Sequence, residues 1–146
     1  MIAVDANILV YAHRADSAWN EAAIACLDGL AEQGTSWGIP WPCVYEFYTI
    51  VTHPRIYEPP SSPKQAVEQL EAWLEAPELT LLAEEAAHWA VLKQQLLRGK
   101  VSGPHVQDAR IAALCLAHGV TELWTADRDF SRFPALRTRN PLLDQE

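Results

Sequence analysis

Short β-rich segments alternate with longer helical patterns along this chain, and that alternation points to βαβ units and a parallel sheet covered by helices. The β-rich segments fall at residues 2–4, 36–39, 79–82, 123–125 and 136–138. Between the first two, Asp16 or Ser17 can cap a helix whose Trp19, Ala22, Ala23, Cys26, Leu27 and Leu30 recur at helical spacing until Gly34 stops it. A second helix opens at residues 40–42, where proline suits a first turn, and runs through Val44, Phe47, Ile50 and Val51 to the breaker His53-Pro54. Residues 57–63 are rich in proline and serine and read as a loop, with Ser62-Pro63 as N-cap and first residue of the next helix. Residues 84–98 and 103–116 complete the helical set, ended by Gly99 and Gly119. The apolar run Ile8 to Ala12 receives no element from its pattern. The expected fold is α/β, and a length of 146 residues suits one domain spanning 1–146.

Against this frame the acids stand out. Asp5 follows the strand Ile2-Ala3-Val4, and Asp127 follows Leu123-Trp124-Thr125, with Asp129 two residues on. In one parallel sheet both strands release their acids at the same edge, where open α/β sheets bind ligands. Glu46 lies in the first turn of the second helix and Asp108 in the first turn of the last. A carboxylate at a helix start also gains from the helix dipole, so Asp108 has a purely structural reading, which weighs less than the functional one because residues 103 and 105 are better placed to cap. Carboxylates brought together raise one another's pKa, and a divalent cation removes that conflict. Four or five oxygen ligands suit Mg²⁺ or Mn²⁺, and the chemistry such a site favours is phosphodiester hydrolysis.

Composition narrows the alternatives. Nearly half the residues (49%) are apolar, no repeat or low-complexity tract is present, and the start, with Asp5 and Asn7 inside it, reads as neither signal peptide nor membrane span. The expectation is a cytoplasmic protein. Cys26, Cys43 and Cys115 are odd in number and widely spaced, hence reduced core thiols. Cys115 and His118 make half a zinc site with no second pair to complete it. A net charge of −8 argues against non-specific coating of nucleic acid, though Arg110, Arg128, Arg132, Arg137 and Arg139 cluster in the last third. Whether they form a basic surface or scattered solvated charges stays open. The tryptophans at 19, 37, 41, 73, 89 and 124 could stack on RNA bases, while the helical core spacing of several assigns most of them to a core or dimer surface.

The motifs Val4-Asp5-Ala6-Asn7-Ile8-Leu9, Tyr45-Glu46-Phe47, Gln107-Asp108-Ala109-Arg110-Ile111-Ala112-Ala113-Leu114 and Thr125-Ala126-Asp127-Arg128-Asp129-Phe130 resemble, in order, those of PIN-domain ribonucleases. Within that family the chain is most similar to VapC toxins of bacterial type II toxin-antitoxin modules. Each motif alone is weak, while four in order in so short a chain are specific. The resemblance implies a three-layer α/β/α fold, Mg²⁺ or Mn²⁺ dependence and endonucleolytic cleavage of structured RNA such as tRNA or ribosomal RNA. It also implies a homodimer and inhibition by a small cognate antitoxin, for which an acidic pocket suggests an inserted Arg or Lys that displaces the metal. By position, Asp5 and Asp108 would be primary metal ligands, with Glu46 and Asp127 completing the pocket, and Asn7 and Thr125 orienting the acids. Asp129 either supports a second metal or caps a short helix. His105 receives no catalytic role.

Two rivals remain. A phosphatase of the haloacid dehalogenase type also begins with a strand ending in Asp, yet the position of its second Asp is Asn7 here, and no lysine follows a late strand. A catalytically silent PIN-like protein-binding module would use the amphipathic helix after Pro63, but clustered carboxylates with no cation burden a fold that gains nothing from them.

Overall fold

The computed structural model describes residues 1–144; the last two residues of the expected 1–146 domain lie outside the described residues. A five-stranded, wholly parallel sheet runs in the order β3-β2-β1-β4-β5, with β1 Ile2–Val4, β2 Trp37–Pro40, β3 Leu79–Leu82, β4 Glu122–Trp124 and β5 Thr138–Arg139. Helices α1 (Ala6–His13), α2 (Asn20–Glu32), α3 (Trp41–Val51), α4 (Pro63–Leu74), α5 (His88–Arg98) and α6 (Val106–Ala117) cover it, giving the expected α/β/α layers. The core is built on Phe47, Phe130, Phe133, Ile8, Leu9 and Ile39 among the fully buried side chains.

The order places β1 in the centre. From β1 the chain steps outward through β2 to β3, then returns to the other side of β1 for β4 and β5, so the winding reverses between β1 and β4. That reversal opens a crevice beyond the strand ends. Register fixes what faces it: Val4 pairs with Trp124, and the Asp5 amide donates to the Trp124 carbonyl at 2.9 Å. Asp5 and Thr125 are therefore the first residues beyond two adjacent strand ends.

The structure differs from the sequence expectation in several places, and β2 and β4 are each displaced by one residue. The run Ile8 to Ala12 is helix α1, opened by the Asp5 carboxylate, which accepts from the Ala6 amide at 2.8 Å. Ala6, Ile8, Leu9 and Val10 are all buried, so the helix carries no amphipathic stripe to betray it. Helix α2 begins at Asn20, because the Asp16 carboxylate binds the Arg14 guanidinium at 2.7 and 2.9 Å and Ser17 accepts from Trp19 instead. Helix α5 begins at His88 rather than residue 84, and Glu84 instead accepts from Arg110 at 2.7 Å. Strand β5 is Thr138–Arg139, because Leu136 is drawn into the core and its amide closes a turn on Phe133. All three cysteines are buried thiols and none forms a disulfide, as expected.

The expected cap at Ser62 is present in full. Ser62 Oγ accepts from the Gln65 amide at 3.1 Å while Gln65 Oε1 accepts from the Ser62 amide at 2.9 Å, a reciprocal capping box, with Pro63 next. Ser62→Ala removes one half of that box. The expected result is a loss of about 1 kcal/mol of stability, measured by chemical denaturation, with Ser62→Asp retaining it.

Candidate active site

Asp5 is 4% exposed and its carboxylate is held from every side. Oδ1 accepts from the Ala6 amide at 2.8 Å and the Cys43 thiol at 3.4 Å; Oδ2 accepts from Thr125 Oγ1 at 2.7 Å and Asn7 Nδ2 at 3.4 Å. Burial pushes its pKa above the ordinary range, only partly offset by the hydrogen bonds from Thr125, Ala6 and Cys43, and Asp127 adds repulsion. Asn7 and Thr125 also bind each other, at 3.2 Å. Asn7 Oδ1 accepts the Ala126 amide at 3.1 Å and Thr125 Oγ1 the Asp127 amide at 3.0 Å, so the β4 exit is laced to the start of α1.

The other acids converge on this point. Glu46, in the second turn of α3 rather than the first turn expected, has its pKa raised from 4.5 to about 7 by burial first and then by the charges of Asp5, Asp108 and Asp127. Asp108, in the first turn of α6, is likewise pushed up by burial, with Asp127 and Asp129 adding repulsion and His105 opposing it. Asp5, Glu46, Asp108, Asp127 and Asp129 thus form one electrostatically coupled group at the crevice. Such a set of carboxylate oxygens could hold a hard divalent cation, whose charge would relieve the repulsion recorded on Glu46 and Asp108.

Asp129 has a defined place. The short helical turn Arg128–Arg132 is capped by Asp127, whose Oδ1 accepts the Asp129 amide at 2.8 Å, so the cap is not Asp129. Asp129 instead lies with Asp108 and His105, their ligand atoms all within 4.8 Å of one another, and His105 Nδ1 is 3.5 Å from Asp108 Oδ2. Sequence reasoning gave neither His105 nor Cys43 a place here. Only His105 carried a local signal, since it precedes Asp108 by three residues, nearly one helical turn. Of the arginines in the last third, Arg110 pairs with Glu84, and Arg137 and Arg139 with Glu122.

A parallel α/β sheet wound in this order, with carboxylates gathered where the winding reverses, defines a class of acidic-pocket proteins. The chain belongs to the PIN domain family, whose model matches residues 2–136. It is 37% identical over 142 residues to Ribonuclease VapC43 of Mycobacterium tuberculosis, covering 97% of this chain and 96% of that protein. Ribonuclease VapC48 of the same organism is 33% identical over 138 residues, with 94% of each chain covered. Among solved structures, the fold is similar to that of VapBC2 from Rickettsia felis bound to a promoter DNA fragment, with a TM-score of 0.68 at 22% identity, covering 95% of this chain and 98% of that one.

The raised Glu46 pKa has a signed consequence for stability. The folded, metal-free protein keeps the proton up to about pH 7, whereas the unfolded chain releases it near 4.5. Glu46 therefore contributes stability that is fully present below about pH 4.5 and is lost as pH rises through about 7. Thermal melts in EDTA are expected to show that decline, and Glu46→Gln to flatten it in part, since Asp5 shifts in the same direction.

Proposed function

We propose that this chain is a metal-dependent endoribonuclease, the toxin of a type II toxin-antitoxin module, that hydrolyses phosphodiester bonds in structured RNA such as tRNA or ribosomal RNA. The observation that carries the reading is the convergence of Asp5, Glu46, Asp108 and Asp127 on one crevice, with Glu46 raised to about 7 by burial and then by the charges of the other three. VapC ribonucleases at 37% and 33% identity over nearly the whole chain support it.

In this reading Asp5 and Asp108 bind Mg²⁺ or Mn²⁺, with Glu46 and Asp127 completing the pocket and Asp129 beside them. When bound, such a cation polarises the phosphoryl oxygen and makes water a nucleophile at neutral pH. The chain's own part is to aim the carboxylates. Thr125 and Asn7 fix Asp5 Oδ2, and the Ala6 amide fixes Oδ1, so the carboxylate cannot rotate. Glu46 must give up its proton at the carboxyl oxygen to join the site, so loading is coupled to proton release near neutral pH.

The partners follow from the same pocket. We assign a cognate antitoxin that inserts an Arg or Lys among the acids, and a homodimer, for which exposed Trp89 and Leu97 on α5 offer apolar surface. Among the described residues no helix is long and apolar enough to cross a membrane, and a cytoplasmic location is part of the proposal.

The decisive experiment is cleavage of total bacterial RNA by the purified chain with Mn²⁺, beside EDTA and Asp5→Ala controls, with new ends mapped. Discrete cuts lost in both controls are expected. Uncut RNA would instead favour a silent PIN-like binding module. Thr125→Val, which deletes the 2.7 Å hydrogen bond to Asp5, should weaken Mn²⁺ binding by about 10- to 100-fold, read by isothermal titration.

A further inference from the structure

Helix α3 carries Glu46 into the crevice, yet the residue just before it points elsewhere. Tyr45 is 63% exposed and Trp41, one turn earlier, is 37% exposed. Their rings lie 6.3 Å apart, tilted by 34°. Neither is needed to anchor the helix, which is held by buried Pro42, Cys43, Phe47 and Val51. Two surface concavities meet at Tyr45: one is lined by Trp41, Pro42, Tyr45 and Arg110, and the next shares Pro42, Tyr45 and Arg110 and continues to Glu46 and Asp108. The aromatic surface is thus the continuation of the acidic pocket.

We propose that Trp41 and Tyr45 form a stacking platform for an unpaired nucleobase adjacent to the scissile phosphate of an RNA substrate; this rests on the ribonuclease reading above. Charge selects the occupant. The groove is bordered by Glu46 and Asp108, and its one lining cation, Arg110, is engaged by Glu84 at 2.7 Å. A phosphate backbone is repelled there, whereas a neutral base gains from a ring face, and every base has one to offer. A second copy of the chain laid on this face about a twofold axis would set Glu46, Asp108 and Glu84 against the same acids, which disfavours a self-contact. Thr49 and Gln107, which line the groove toward the acids, supply polar groups for a base edge.

The platform predicts base flipping or a single-stranded loop at the cleavage position, since a paired base cannot present its face. The test has two arms. In single-turnover cleavage of the mapped RNA, Trp41→Ala and Tyr45→Ala should each raise the half-saturating protein concentration by about 5- to 150-fold, with the saturated rate retained. Tyr45→Phe should restore wild-type binding. Trp19→Ala, a change of another exposed tryptophan (42%) that lines neither concavity, is the control and should change nothing. In the second arm, a single-stranded oligoribonucleotide carrying 2-aminopurine is titrated with protein in Ca²⁺. Quenching by wild type and its loss in Tyr45→Ala is expected.

Unchanged half-saturation in both alanine variants would overturn the platform while leaving the ribonuclease intact. Quenching by a wild-type protein that cuts no RNA would uphold the platform and remove the ribonuclease. A Tyr45→Ala protein that turns from dimer to monomer in light scattering, with quenching unchanged, would overturn the proposal and assign the face to a contact between copies.

Discussion

The parallel pairing of β1 with β4 is the constraint on which the rest depends. Its register sets Val4 opposite Trp124 and so leaves Asp5 beside Thr125 at the strand ends, joined at 2.7 Å. A slip of one residue would reverse the faces of β1 and carry Asp5 away from its donors. From that junction the surrounding acids take their meaning. Asp127 is aimed by an amide bound to Thr125, and its own carboxylate caps the turn that presents Asp129. Glu46 and Asp108 arrive from α3 and α6, far apart in sequence and near only because both helices start at the same sheet edge.

Desolvation sets the character of the pocket. The raised values of Asp5, Glu46 and Asp108 each have burial as their largest cause, with neighbouring charge acting on top of it. Gathering acids in this way costs the fold something, and the hydrogen bonds to Asp5 offset it only in part. The cost is tolerable because most of the hydrogen bonds come from backbone or from residues already committed to strand and helix ends. Function and stability here pull in opposite directions, as they commonly do where a protein stores strain for a ligand.

Much of this was legible in the sequence, and for reasons that name particular residues. Asp5 and Asp127 announce themselves because an acid after a short apolar strand needs a partner, and Ser62-Pro63 because cap chemistry is local. Five parallel strands follow from alternating patterns alone. Helix α1 was not legible, since a helix buried on most sides has no periodicity to read. Strand β5 was misplaced by two residues because Leu136 is β-compatible but is claimed by the core through Phe133. Cys43 looked like any core thiol, and its bond to Asp5 depends on a crossing of α3 over the β1 end that no local signal encodes. Asp129 was left between two roles that only the cap on its own amide could separate.

The brevity of the outer strands has a bearing on how the molecule keeps company. One margin of the sheet is β5, two residues long and followed at once by Asn140 and a helical turn; the other is β3, of four residues. Glu122 grips Arg137 and Arg139 across the first margin, placing charge where a foreign strand would have to dock. So little unpaired backbone leaves scant template for edge-to-edge growth into fibres. The surface this molecule offers to others is made of side chains on helices and loops far more than of open strand backbone, and that bias resists the zipping of one sheet onto the next.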